Sequence, residues 1–418
     1  MDYLLTANFV ISTVFVLCYA YQFFYLLVGT LKKVKSRPTR IAPHRYAVMI
    51  SARNEEAVIG NLIESIRRQK YPAGLVSIFV VADNCTDRTA AVAAKAGATV
   101  FVRQNKTCVG KGYALEFLFD QVLERYGRTH FDGYFIFDAD NLLDENYISE
   151  MNKTFSSGFR IVTSYRNSKN YGTNWISSGY ALWFLREARH LNNARMTLGT
   201  SCAVSGTGFL IHRDIINRTN GWKYFLLTED IQFTVENILN GERIGYCHDA
   251  VLYDEQPVTF SQSWTQRLRW AKGYYQVFRQ YGGRLLRGIA GGSFACADMT
   301  MNIMPAAVLT IVSFLINAAA LMPALLLHGD VLTILLSVLE TLRNSYLMLF
   351  GIGLITGITE WKQIHASAPR KIFSFFTFPV FMLTYIPISI VALFKKVEWK
   401  PIRHNVSLSI DHMKQAVK

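Results

Sequence analysis

Charge is what this sequence most plainly lacks, in three places. Residues 3–31, 299–327 and 372–394 of the 418 carry no Asp, Glu, Lys or Arg, and the chain is 51% hydrophobic but only 18% charged. Each gap is long enough to cross a hydrocarbon layer, which takes about 20 apolar residues. An ordinary soluble protein is therefore excluded, and a membrane protein with a soluble middle is expected. The start also lacks the positive n-region of a cleavable signal peptide, and its apolar run is too long for an h-region, so it should persist as a helix. Cysteine is sparse: Cys18, Cys85, Cys108, Cys202, Cys247 and Cys296 form no CxxC pair and no metal-finger spacing, which points to reduced, structural thiols. Internal repeats and low-complexity tracts are missing as well.

The net charge of +14 is concentrated. Lys32, Lys33, Lys35, Arg37 and Arg40 follow the first apolar segment, and Lys395, Lys396, Lys400 and Arg403 follow the last. Under the positive-inside rule the first cluster puts the N-terminus outside and everything from about residue 40 in the cytosol, with a bacterial plasma membrane as the expected site. Both clusters abut apolar spans instead of aromatic-studded soluble strands, so membrane lipids and not nucleic acid are their partner. Residues 331–359 are apolar except for Glu340 and Arg343, which share a helix face and could pair in a bundle or line a polar path. Pro379 and Pro387 predict that the last segment kinks or folds back, and charge alone leaves the side of the C-terminus open.

The middle alternates strand and helix. Apolar runs at 46–51, 76–82, 99–102 and 134–137 are separated by helical spacing, such as Val58, Ile59, Leu62, Ile63 and Ile66. That alternation predicts a mostly parallel sheet with ligand bound beyond the carboxyl ends of its strands. Glu55, Asp83 and Asp138 each follow a strand end, so three acidic turns should converge on one crevice. Asp138 and Asp140, two residues apart, could reach a hard divalent cation that also binds a diphosphate. An Asp-x-Asp alone is common on solvated surfaces; its place after a buried strand is what raises it.

Asp83 could accept from the imide or ribose of a nucleotide, and Lys111 between Gly110 and Gly112 could approach phosphates. Asp230, in Thr228-Glu229-Asp230, is the candidate general base for displacement at an anomeric carbon; helix capping by Thr228 predicts the same letters. Gln266, Arg269 and Trp270 lie near one helical surface, where the arginine can brace a diphosphate and the indole can stack on a sugar.

In this order the motifs resemble those of the membrane-bound family 2 glycosyltransferases of the cellulose, chitin, hyaluronan and poly-N-acetylglucosamine synthase type, over residues 45–280. The resemblance implies an α/β GT-A fold and inverting transfer from a UDP-sugar, with Mg2+ or Mn2+, to a growing β-linked polysaccharide at the inner face of the membrane. The alternative is non-processive transfer to a lipid or lipid-linked acceptor. The resemblance places Asp83 on the nucleotide, Asp138 and Asp140 on its diphosphate and the metal, with Asp140 the first metal candidate, Asp230 as base, and Gln266, Arg269 and Trp270 where acceptor and diphosphate meet; the residues themselves add Glu55 and Lys111 to the nucleotide-sugar site and Glu229 to the acceptor and diphosphate site. The expected organisation is a membrane helix over 1–31, a catalytic domain over 40–260, interfacial helices over 261–297, a membrane region over 298–396 and a tail over 397–418. So few apolar segments after Trp270 would leave export to a homo-oligomer, a partner protein or a shorter lipid-linked product.

Overall fold

The computed structural model describes all residues except 1, 36, 37, 39, 305–311, 314, 320, 321, 323–330, 403, 405, 409 and 416–418. Most of the second uncharged segment, 299–327, thus lies outside the described residues. The N-terminal helix α1 (Asp2–Leu31) leads into an alternation of β1 (Tyr46–Ala52), α2 (Ile59–Arg67), β2 (Val76–Asp83), α3 (Thr89–Lys95), β3 (Thr99–Arg103), α4 (Lys111–Tyr126) and β4 (Gly133–Asp138). There follow β5 (Leu142–Leu143), α5 (Tyr147–Ser156), β6 (Ile161–Ser168), α6 (Trp175–Arg186), α7 (Asn193–Leu198), β7 (Phe209–His212), α8 (Arg213–Arg218), α9 (Glu229–Leu239) and β8 (Ile244–Asp254).

The strands form one eight-stranded sheet in the order β3-β2-β1-β4-β7-β6-β8-β5. The half expected from alternation is parallel, with Ala52 level with Ala82 and Ser51 level with Asp138, so the acidic turns leave the sheet at a common edge. The other half departs from the mostly parallel expectation. β7 enters between β4 and β6 antiparallel to both, so the sheet is mixed. Period-two burial explains the layering: Ala47, Met49, Phe79 and Val81 pack on one face with Leu115, Leu118 and Phe119 of α4, while Val48, Ile50 and Val80 pack on the other with Ile59, Leu62 and Ile63 of α2. Each such fully buried aliphatic side chain contributes about 1.5–3 kcal/mol.

After β8 comes a single 31-residue helix, α10 (Phe260–Ala290), which packs on α9. Then come α11 (Phe294–Ile303), α12 (Val331–Thr359), α13 (Ala368–Leu383) and α14 (Tyr385–Phe394). Among the described residues three helices are long and apolar enough to cross a membrane, Thr6–Leu31, Ile334–Thr359 and Ala368–Phe394. Buried polar ties fix them to the enzyme. Arg195 pairs with Asp298 at 2.7 Å, and Tyr21 and Tyr25 of α1 donate to the same carboxylate at 2.9 and 3.0 Å. At the end of α12, Glu360 meets Arg189 at 3.1 Å and receives the Tyr165 hydroxyl. Glu340 and Arg343 do pair, at 3.1 Å, but with both side chains exposed.

The last apolar segment breaks at Thr384 and is tied to the catalytic domain near its start and to α10 near its end. Near its start Ser374 meets Tyr171 at 2.5 Å; near its end Ala392 O accepts from Lys272 and Ser389 O from Tyr275, each at 3.0 Å.

Candidate active site

One cavity of about 510 Å³ opens at the carboxyl edge of β1, β2 and β4, and all ten sequence-predicted residues line it. The turns that carry the first three are tight. Asn54 and Asn84 follow β1 and β2 with φ of 57° and 53°, a left-handed conformation that Asn tolerates because its short amide bonds locally. Asn54 Oδ1 accepts from Thr86 N at 2.8 Å and Asn84 Oδ1 from Asn105 N at 2.9 Å, so the two turns brace their neighbours.

Asp83 is buried and ion-paired with Arg103 at 2.6 Å. Asp138 contacts the ammonium of Lys111, which also donates to Gly206 O at 2.7 Å and lies 3.8 Å from Glu229. Lys111 reaches this far because Gly110, φ 139°, caps the start of α4, and because Gly112 has no side chain to strike the Tyr224 carbonyl, 2.1 Å from where its Cβ would be. The Gly206-Thr207-Gly208 loop, given no role from sequence, closes the same corner, with Thr207 Oγ1 donating to Asn141 Oδ1 and accepting from Asp138 N at 2.9 Å.

Asp140 lies deeper, its Oδ2 accepting the Glu255 N–H at 2.7 Å. Burial alone would raise its pKa, but the positive charges of His404, Lys169 and Arg166 and that hydrogen bond hold it below the ordinary range, so it stays ionised. Among the described residues no three side chains are gathered into a cation cage. A buried, ionised carboxylate with a second one two residues away nevertheless fits a hard cation that completes its shell with diphosphate and water oxygens.

Glu229 and Asp230 begin α9. Thr228 makes no capping bond, contrary to the capping alternative, and its hydroxyl is buried without a partner among the described residues. Burial raises both carboxyls, Glu229 to about 7, with Lys111 pulling the other way. α10 approaches this turn at Gly273, whose missing Cβ would fall 2.5 Å from Thr228 Oγ1. Gln266, Arg269 and Trp270 face the cavity from α10, as their spacing predicts. Gln266 Oε1 is buried with no hydrogen-bond partner among the described residues, and Trp270 meets Tyr180 edge to face at 5.7 Å. Arg267, between them in sequence, is fully buried on the opposite side and donates to Phe381 O at 3.0 Å.

The fourth wall was not foreseen. The C-terminal segment crosses the mouth of the cavity: Trp399 lies 5.3 Å from the Arg53 guanidinium, and His404 Nδ1 sits 2.9 Å from Glu55 Oε1. Val406 N donates to Glu255 Oε2 at 3.0 Å. Burial lifts the Glu55 carboxyl to about 6 against the pull of His404. Burial also opposes the imidazolium, but Asp140 and Glu55 raise His404 to about 10. The signal was present, since a Trp, a Pro and a His within residues 399–404 suit a solvated basic tail poorly. Glu187, also unforeseen, lines the inner end of the cavity.

Residues 43–273 match the family model described as glycosyltransferase like family 2. The chain belongs to that family. Among its curated relatives, the family 2 sequence is 26% identical to a β-monoglucosyldiacylglycerol synthase of Synechocystis over 56% of this chain and 48% of that protein. It is 21% identical to a poly-β-1,6-N-acetyl-D-glucosamine synthase of Staphylococcus aureus over 55% and 54%. The chain spans about half the length of the curated relatives it matches. A solved mannosyltransferase from Pyrobaculum calidifontis, in complex with GDP-Man and Mn2+, superposes with a TM-score of 0.59 at 14% identity, covering 93% of this chain and 99% of that one. That likeness bears on fold, which is the GT-A type.

Proposed function

We propose that this chain is an inverting glycosyltransferase that moves a sugar from a UDP-sugar to an acceptor hydroxyl at the cytosolic face of a bacterial plasma membrane. The observation that carries the reading is the unpartnered Gln266 Oε1 beside Asp138, Asp140, Asp230 and Arg269 in one cavity. A buried acceptor atom left without a donor costs about 1–3 kcal/mol unless a ligand supplies one.

Asp140, with Asp138, would hold Mg2+ or Mn2+, whose bound charge offsets that developing on the departing diphosphate. Lys111 and Arg269 flank the same oxygens, Glu55 and Asp83 border the nucleotide end, and Glu229 holds Lys111 in place. Asp230 takes the acceptor proton as the new C1–O bond forms, and the electron pair of the old C1–O bond leaves with UDP. Trp270 offers its face to a sugar ring.

The same reading takes 1–31 as a membrane helix, 40–260 as the catalytic unit, 261–297 as interfacial, 298–396 as the membrane region and 397–418 as a cytosolic tail. For the acceptor, a growing β-linked polysaccharide and a lipid are the two candidates. The cavity runs on from Asp230 past Phe15 and Tyr19 of α1 to Met348 and Leu349 of α12, which supports an acceptor with an apolar part. The glycolipid-forming activity named for the Synechocystis relative supports the same choice. Purified protein with Mg2+ or Mn2+ and a panel of UDP-sugars should release UDP and give organic-extractable product. Long aqueous polymer would restore the polysaccharide reading, and no UDP from any donor would end both.

A further inference from the structure

Beyond Asp230 the cavity contains a carboxylate with no part in the transfer just described. Glu187 opens the π-helical turn Glu187–Asn192 that follows α6, a distortion that pushes a residue out of helical register and recurs at functional sites. Its observed hydrogen bond is a weak one, from Ser205 Oγ to Oε2 at 3.3 Å. The adjacent cation is committed elsewhere: Arg166 donates from Nε to Asp254 Oδ2 at 2.6 Å, from Nη1 to Ser205 O at 2.8 Å, and stacks 3.7 Å over Phe184. Burial raises the Glu187 carboxyl above its ordinary range.

An ionisable carboxyl offers about four acceptor sites, and the Glu187 side chain lines the cavity with, among the described residues, a single long hydrogen bond from Ser205. Hydroxyl donors would fill them, whereas a phosphate would meet Glu187 and Asp230 as like charges. Flat aromatic surface stands beside it in Trp183, Trp270 and Tyr274, and apolar side chains of the membrane helices lie further out. A hydroxyl-rich ring with an apolar extension matches all three features.

We propose that Glu187 is an acceptor-binding residue and that the acceptor is a neutral glycolipid. Its sugar head donates hydroxyls to Glu187 while presenting one hydroxyl to Asp230, and its apolar tail lies past Phe15, Tyr19 and Met348. Glu187 exchanges no proton in the transfer. This rests on the transferase reading above.

The test uses the full chain in phosphatidylcholine nanodiscs with three probes: octyl β-D-glucoside, dioleoylglycerol and undecaprenyl phosphate. Binding is read by tryptophan fluorescence, and turnover by released UDP. Octyl glucoside should bind saturably and stimulate UDP release. Glu187→Gln, nearly isosteric, should raise its Kd and KM about 10- to 100-fold, the equivalent of one lost charge-assisted hydrogen bond, with the donor KM moving far less. Glu187→Asp should recover part of the affinity. The proposal falls if dioleoylglycerol or the lipid phosphate binds and reacts as well as the glucoside, or if Glu187→Gln leaves the glucoside Kd unchanged. Absence of UDP release from every donor would instead remove the transferase reading, and the fluorescence titration would still decide whether Glu187 binds a sugar head.

Discussion

Asp230 must be ionised to take a proton, yet its surroundings disfavour the charge. Burial raises it and its neighbour Glu229, and Lys111 only partly offsets this. Raised folded-state values mean that the two carboxyls bind protons more readily in the folded chain than in the unfolded one. Their contribution to stability is therefore fully present below the unfolded pKa and is lost as pH rises through the folded one. Two outcomes follow for Asp230→Asn at pH 8. Transfer should fall about 10²- to 10⁴-fold, the usual share of a general base, while the melting temperature stays level or rises, because a neutral isostere removes the cost of burying charge. The wild-type rate should drop on acidification before the ordinary aspartate range is reached, with product formation followed from pH 8 down into that range as the check. A rate still flat where an ordinary aspartate is largely protonated would remove Asp230 as base.

Two arginines two positions apart illustrate how far a motif can be read at this scale. Arg269 faces the cavity, whereas Arg267 is fully buried, stacks 4.4 Å from Phe381 and donates to Phe381 O and Thr384 Oγ1. Arg269→Ala should raise the donor KM and leave the melting temperature nearly unchanged. Arg267→Ala should do the reverse, since it strips the Phe381 carbonyl of its donor and opens a gap between α10 and α13, at about 2–4 kcal/mol. Thermal melts and donor titrations on the two variants would distinguish them.

At the scale of elements, the close approach of α10 to the start of α9 is what brings Gln266, Arg269 and Trp270 to face Asp230. It is possible because position 273 is glycine. Gly273→Ala would set a methyl 2.5 Å from Thr228 Oγ1, and relief by shifting either helix should cost about 1–3 kcal/mol together with most of the activity. The melting temperature and the rate of UDP release measure both parts; an unaltered rate would mean that the contact does not hold the site.

The parallel half of the sheet was legible because strand, acidic turn and helix alternate locally in β1 to β4. The insertion of β7 was not, since Phe209–His212 is four residues whose partners are fixed only by long-range pairing. Likewise the ten cavity residues could be read from strand ends and helical spacing. Glu187 could not, because it belongs to no motif and opens a π-turn that periodicity does not announce, and neither could His404, which reaches Glu55 across 349 positions of sequence.

The whole molecule is closed by its last segment. Ala368–Phe394 is tied to Tyr171 of the catalytic domain near its start and to Lys272 of α10 near its end, and the chain beyond it passes over the cavity before Met413 packs on Leu142 and Tyr253. Asn61 donates to Ser407 at 3.0 Å and Arg68 pairs with Asp411 at 2.8 Å, so the strap is pinned outside the cavity as well as within it. The exposed Arg68–Asp411 pair adds little, because water screens it; the part-buried contacts of His404 with Glu55 and of Trp399 with Arg53 hold the strap. The proposal that the basic tail lies on the side of the catalytic domain, which charge alone left open, is supported by these contacts. A chain ending at Lys396 should therefore bind UDP-sugar more weakly while retaining the melting transition of the sheet, because the lost residues wall the cavity without entering either hydrophobic layer of the sheet. Calorimetric titration of the shortened and full chains with UDP and Mn2+ measures the difference. Equal affinity would show that the strap covers the site without contributing to it, and a cysteine at 411 labelled only from the face opposite the catalytic domain would overturn the placement itself.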